Sequence, residues 1–177
     1  MISPVRALAL VALLLVPCAA AATPVRVIDS DSVGAYRITQ SRARAIDVFG
    51  APTYSIDSHN FNFPQGENKR CRTHWRSLEL TISYLGECSL PGRAWRITVE
   101  GAGWRTREGL RIGDRAARIT QLYRGARQTR GPDAPTVMRW TLTPLGVEWD
   151  LRRARPSSGV IVATQSGKVV GFELRRL

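Results

Sequence analysis

Gly109-Leu110-Arg111-Ile112-Gly113-Asp114, running on as Arg115-Ala116-Ala117-Arg118-Ile119-Thr120-Gln121-Leu122-Tyr123, is the stretch on which the fold turns. Leu110 and Ile112 flank an arginine, as in a short strand or turn. Gly113-Asp114 then reads as a helix start, because an aspartate there can accept from the first unpaired backbone N–H groups. Ala116, Ile119, Leu122 and Tyr123 recur at helical spacing and give the predicted helix one apolar side. No glycine-rich cradle or ligand cluster surrounds Gly113-Asp114, so the stretch marks architecture and not a phosphate or metal site.

Downstream, Gly125 to Pro135 reads as a polar connection, and four strands are predicted after it: Val137–Thr143, Gly146–Arg152, Gly159–Gln165 and Lys168–Arg175. Met138, Trp140 and Leu142, then Val147, Trp149 and Leu151, then Val170, Phe172 and Leu174 form the expected inward faces. Ser166-Gly167 is a two-residue hairpin loop of the type I′ kind. Upstream, a helix is expected over Arg42 to Phe49, with Ala43, Ile46 and either Val48 or Phe49 inward, Thr39 as its cap, and Gly50-Ala51-Pro52 as its stop. Residues 57–70 read as a polar loop carrying Phe61 and Phe63. Strands are predicted over 71–77, 78–85 and 94–100, with Leu78, Leu80, Ile82 and Tyr84, then Trp95, Ile97 and Val99, facing inward.

The two halves superpose. Tyr36-Arg37-Ile38 sits opposite Leu110-Arg111-Ile112 at an offset of 74 (110 minus 36), which also places Ala43 on Ala117 and Phe49 on Tyr123. A helix followed by antiparallel strands, written twice, predicts an α+β fold of two tandem modules. Each would pack one or two short helices on a small antiparallel sheet. The first module is expected over 23–101 and the second over 102–177. This unit of hydrophobic-Arg-Ile-Gly-Asp, helix, aromatic and meander resembles the repeat of the beta-lactamase inhibitor protein (BLIP) family and of the related SmpA/OmlA (BamE-like) lipoproteins. Phe49-Gly50-Ala51-Pro52 is similar to the helix-ending Gly-x-Pro of those repeats. The resemblance implies two modules over nearly the whole chain after its leader, and an inhibitor-like binding role. It departs at Arg124, where the second helix should end in Gly-x-Pro. No loop here matches that family's inhibitory loop, so none of its inhibitory residues carries over.

Met1 to about Ala22 has the build of a secretory leader, with Arg6 ahead of the apolar run Ala7–Val16 and small residues Ala19–Ala22 for cleavage. The run is too short to span a bilayer. Cys18 opens the alternative of a lipoprotein, which Pro17 just before it disfavours. The expected product is exported, without an integral membrane span, and monomeric. The formal net charge is +12. It rests on arginine, because Lys69 and Lys168 are the only lysines. Cys71 and Cys88 would remain after cleavage, and in an exported chain they are expected to pair.

Catalytic signatures are missing: there is no G-x-S-x-G, H-E-x-x-H, P-loop or G-x-G-x-x-G. Neither a cofactor nor a metal is implied, and a hydrolase built on the two histidines or on Glu148 and Asp150 is the weaker reading. The expected functional surface is the solvent side of the strands, displaying Arg72, His74, Arg76, Arg96, Arg139, Glu148, Asp150 and Arg152. Trp75 and the Phe61/Phe63 loop join it as contact candidates, since aromatic and arginine side chains are what interface anchors are made of. The partner would be an extracellular or cell-envelope protein, with a cell-wall or other polyanion as the alternative.

Overall fold

The computed structural model describes residues 26–59, 69–130, 136–142 and 158–176. The leader with Cys18 and the strand expected over 146–152 lie outside the described residues. In chain order the elements are β1 (Arg26–Ile28), β2 (Ser32–Val33), β3 (Tyr36–Arg37), α1 (Arg42–Phe49), β4 (Tyr54–His59), β5 (Lys69–Trp75), a 3-10 turn (Arg76–Leu78), β6 (Leu80–Leu85) and β7 (Ala94–Val99). They continue as β8 (Trp104–Thr106), α2 (Ala117–Leu122), β9 (Arg127–Arg130), β10 (Val137–Leu142), β11 (Ser158–Gln165) and β12 (Lys168–Arg176). Among the described residues, no helix is long and apolar enough to cross a membrane.

The α+β expectation is overturned: strands dominate, and the helices of 8 and 6 residues are too short to roof a sheet. Nor are there two separate small sheets. One eight-stranded sheet runs β4-β5-β6-β7-β12-β11-β10-β9, and a four-stranded sheet runs β3-β2-β1-β8. The large sheet joins the halves through antiparallel β7 and β12, while β1 lies parallel to β8. Two strands arise where loop was expected. β4 takes up part of 57–70, and β9 comes from the polar Gly125–Pro135 connection. Arg127-Gln128-Thr129-Arg130 carries no apolar pattern because it is the last strand of its sheet, where charge guards against stray pairing.

One face of the large sheet packs into the core through Trp75, Leu80, Ile82, Tyr84, Ile97, Val99, Val162, Phe172 and Leu174. Against it lie Ile28, Val33, Tyr36, Trp104 and Leu110 from the small sheet and its flanks, with Ala45 and Ile119 from the helices. Phe49 is the junction, with ring centroids 5.8 Å from Tyr36, 5.7 Å from Trp75 and 6.5 Å from Trp104. Phe49 turns inward, as one of the expected alternatives, but Ala45 joins it in place of Ala43 and Ile46, and Ile46 is 39% exposed. The cap is Ser41, which accepts from Arg44 N at 3.3 Å, and not Thr39.

Gly113-Asp114 also has a different task from the one expected. The N-cap of α2 is Ala116. Gly113 N donates to Val169 O at 2.8 Å, Val169 N to Asp114 O at 2.8 Å, and Ala116 N to Gly167 O at 2.8 Å. The stretch therefore laces the α2 approach onto the hairpin that begins β12. That hairpin turns as predicted, with positive φ at both Ser166 (50°) and Gly167 (73°). Cys71 and Cys88 are bonded, with Cα atoms 4.7 Å apart, tying β5 to the turn before β7.

Two irregularities shape the large sheet. Tyr84 pairs with Ala94 while Ser83 pairs with Arg96, so Trp95 is an extra residue bulged from β7. Thr164 pairs with Val169 while Ala163 pairs with Gly171, so Val170 is an extra residue bulged from β12. The bulges are equivalent. Val99 pairs with Phe172 and Ile97 with Leu174, on either side of the Thr98–Glu173 pair. Exchanging residues 75 apart (172 minus 97) returns the same register and carries Trp95 onto Val170. An approximate two-fold axis therefore stands on the Thr98–Glu173 pair.

The buried tyrosines give the fold an alkaline limit. Burial pushes the Tyr36 phenol from 10.0 up to about 12, and drives Tyr84 and Tyr123 higher still. These groups stay neutral when folded and ionise more readily when unfolded, so their stabilisation is whole below pH 10.0 and is lost as pH rises toward 12. Urea midpoints are expected to hold steady to about pH 9 and fall beyond pH 10. A midpoint unchanged at about pH 11.5 would contradict buried phenols.

Candidate functional site

The large sheet has a second face, turned away from the core, and the strand register fixes its occupants. Tyr54, His74, Thr81, Thr98, Glu173 and Ile161 stand side by side in one row across six strands. Next to it runs Ile56, Arg72, Ser83, Arg96 and Arg175. On the other side of the first row, Arg139, Ala163 and Gly171 stand in line. Neighbouring strands are about 4.8 Å apart, so adjacent members of a row are in reach of one another.

Of the residues expected here, Arg72, His74, Arg96 and Arg139 share this outer face. Arg76 is exposed but leaves the strand in the 3-10 turn. Trp75 does not share this face: it is 2% exposed, faces the core and donates its indole N–H to Gly50 O at 2.8 Å. Leu80 lies opposite it on β6, which holds Trp75 on the inner register. Phe61, Phe63, Glu148, Asp150 and Arg152 lie outside the described residues.

His74 stacks on Tyr54, with ring centroids 5.0 Å apart, and a ring nitrogen lies 3.0 Å from Thr81 Oγ1. Tyr54 is 43% exposed and Ile56 46%, an unusual display of apolar surface on a strand. Arg96 pairs with Glu173 at 2.8 Å, and Arg175 meets the other Glu173 oxygen. Glu173 thus holds two guanidiniums apart where like charges stand directly opposite.

The residue that alternation misses is Trp95. Strict period-two reading puts 95, 97 and 99 inward; the bulge puts Ala94, Ile97 and Val99 there and turns Trp95 out. Arg70 lies over its ring, 5.7 Å from the centroid. Among the described residues its buried Nε1 finds no acceptor. An unpaired buried donor costs roughly 1–3 kcal/mol, so packing alone does not account for an indole here. Val170, 37% exposed, is the two-fold equivalent. A signal was available: Ala94-Trp95-Arg96-Ile97 and Val169-Val170-Gly171-Phe172 both place two apolar residues before the alternation starts. Bulges recur where a sheet re-aims a side chain toward a site.

As chemistry, the face offers rings, guanidiniums and hydroxyls for contact. The described residues that could gather on a metal are Asp57, Cys71 and Cys88, but both sulfurs are joined to each other, and Asp57 accepts from Cys88 N at 2.6 Å.

No family model matches the chain, and no curated protein matches it closely enough to count as a relative. A solved structure of a provisionally assigned beta-lactamase inhibitor protein from Streptococcus mutans is similar at 11% sequence identity, covering 86% of this chain and 90% of that one, with a TM-score of 0.30. That is a loose BLIP-like resemblance, it lends nothing to the SmpA/OmlA (BamE-like) comparison, and it is too slight to transfer a fold or a function.

Proposed function

We propose that this chain is an exported, non-enzymatic module that binds another protein of the extracellular space or cell envelope through the outer face of its eight-stranded sheet. The observation that carries this is the pair of equivalent bulges in adjacent strands, each turning a large apolar side chain away from the core. Tyr54, Ile56, Trp95 and Val170 stand among arginines there, the composition of a protein interface and not of an idle sheet surface. The same reading keeps 23–101 and 102–177 as tandem modules, supported by the two-fold register about Thr98–Glu173. The leader and the Cys71–Cys88 bond support export.

A polyanion binder is the second reading, favoured by Arg72, Arg96 and Arg175 standing in one row. Salt and one substitution separate the two. Capture from a cell-envelope and secreted fraction is expected to survive about 0.5 M salt, where exposed charges are screened beyond a few ångströms. Trp95→Ala is expected to weaken it at least about tenfold at every salt concentration, as loss of a central aromatic anchor does. Capture that collapses steeply with salt, is matched by retention on an anionic polymer and ignores Trp95→Ala would overturn the protein-partner reading in favour of the polyanion.

A further inference from the structure

The two-fold that relates the bulges does not hold for the side chains beside them, and the difference makes a hollow. On one side of Thr98–Glu173 the outer face carries Ser83 and Arg96; the equivalent positions on the other side are Ala163 and Gly171. Ala163 and Gly171 are directly paired, so two of the smallest residues meet at one point of the face. The result is a depression of about 190 Å³ with Val137, Ile161 and Val170 as its apolar wall, lined also by Arg96, Arg139, Glu100 and Glu173. Gly171 cannot fill it cheaply, because a Cβ there would stand 3.2 Å from Val99 O. Ala163 comes from the middle of a paired strand, with Arg139 as its neighbour on one side.

We infer that this hollow seats one apolar side chain of an acidic protein segment. The inference rests on the outer-face reading above and adds the partner's chemistry to it. Size argues for a side chain and against a free metabolite, since small-molecule pockets run from about 300 to 1,000 Å³. Charge argues for acidic flanks. Arg70, Arg72, Arg96, Arg139 and Arg175 share the face with Glu173 and Glu100, an excess of positive charge, so a basic segment would bring like charges together on approach. The broken two-fold argues for a single seat and against a second copy of this chain docking symmetrically, because the matching positions hold the larger Ser83 and Arg96 in place of Ala163 and Gly171.

Methyl-detected NMR of the protein tests this with three blocked tripeptides, Glu-Leu-Glu, Glu-Ala-Glu and Lys-Leu-Lys, and with heparin. Glu-Leu-Glu is expected to shift the methyls of Val137, Ile161, Ala163 and Val170 in a saturable way. Glu-Ala-Glu and Lys-Leu-Lys should bind at least about tenfold more weakly, and Ala163→Phe should abolish the Glu-Leu-Glu response. The unmodified protein already decides the matter if that variant folds poorly. Equal responses to Lys-Leu-Lys, or shifts of the same methyls by heparin as strong as those by Glu-Leu-Glu, would overturn the inference. Shifts around Trp95 and Tyr54 with none at Ala163 would overturn the hollow but leave the outer face standing as the binding surface. Response on neither side overturns the hollow, while the salt and Trp95→Ala experiment judges the face separately.

Discussion

Trp75→Ala is expected to destabilise the protein by about 3–5 kcal/mol, the range for deleting a large aromatic from a core. Trp75 is 2% exposed, its ring is 5.7 Å from Phe49, and its N–H satisfies Gly50 O at the end of α1. The substitution opens a cavity where β5, α1 and, through Phe49, the small sheet converge, and it strands a carbonyl at a helix end. For a chain of this size that is a fall in Tm of roughly 6–20 °C. Trp75→Phe keeps most of the ring contact and should cost less, about 1–3 kcal/mol for the lost hydrogen bond and residual space. Trp95→Ala, by contrast, removes a half-buried outer-face ring whose donor is unpaired, and should cost no more than about 1 kcal/mol. Thermal melts of the three variants check this. Equal losses for Trp75→Ala and Trp95→Ala would mean that the two faces of the sheet have been assigned wrongly.

Joint replacement of Cys71 and Cys88 by alanine should cost about 3 kcal/mol, from the loop-closure entropy of a 17-residue separation. The bond does local work as well. It anchors the turn that delivers the chain into β7, where Asp57 receives Cys88 N and where the Trp95 bulge begins two residues after Arg93. A melt run with and without reductant should therefore show a Tm lowered by roughly 6–12 °C on reduction, and the same shift in the double variant without reductant. If reduction leaves the melt unchanged, the pairing contributes nothing to stability and the anchoring role of the bond fails with it.

Strands and turns were the legible part of this chain, because alternation and turn chemistry are local. Leu80, Ile82 and Tyr84 face inward as their spacing says, and Ser166-Gly167 makes the turn its residues demand. The overall class was misjudged because two short helical patterns carry as much sequence signal as two long ones. Only the structure shows that six and eight residues cannot roof eight strands. Joining of the halves into one sheet depends on the pairing of β7 with β12, a contact between distant segments that no local pattern encodes. β9 escaped notice because the last strand of a sheet needs no apolar face.

The candidate site was half legible for a related reason. Arg72, His74, Arg96 and Arg139 follow from alternation, and they do share one face. Alternation alone places Trp95 and Val170 inward, but a bulge shifts the period by one residue, and each shift moves a side chain to the opposite face. Trp75 reads as a contact candidate because it precedes the regular alternation and lies close to the disulfide. Its burial is decided by Leu80 and Phe49, one on the next strand and the other on α1.

The outer face as the binding surface is tested most directly by hydroxyl-radical footprinting of the protein alone and in complex with a captured partner. Tyr54, His74, Trp95 and Val170 are expected to lose reactivity together in the complex. Ile46, 39% exposed on α1, and Leu90, 54% exposed in the turn before β7, should react as before. Protection of Ile46 with Tyr54 and Trp95 left reactive would place the partner on the opposite side of the molecule and contradict the account.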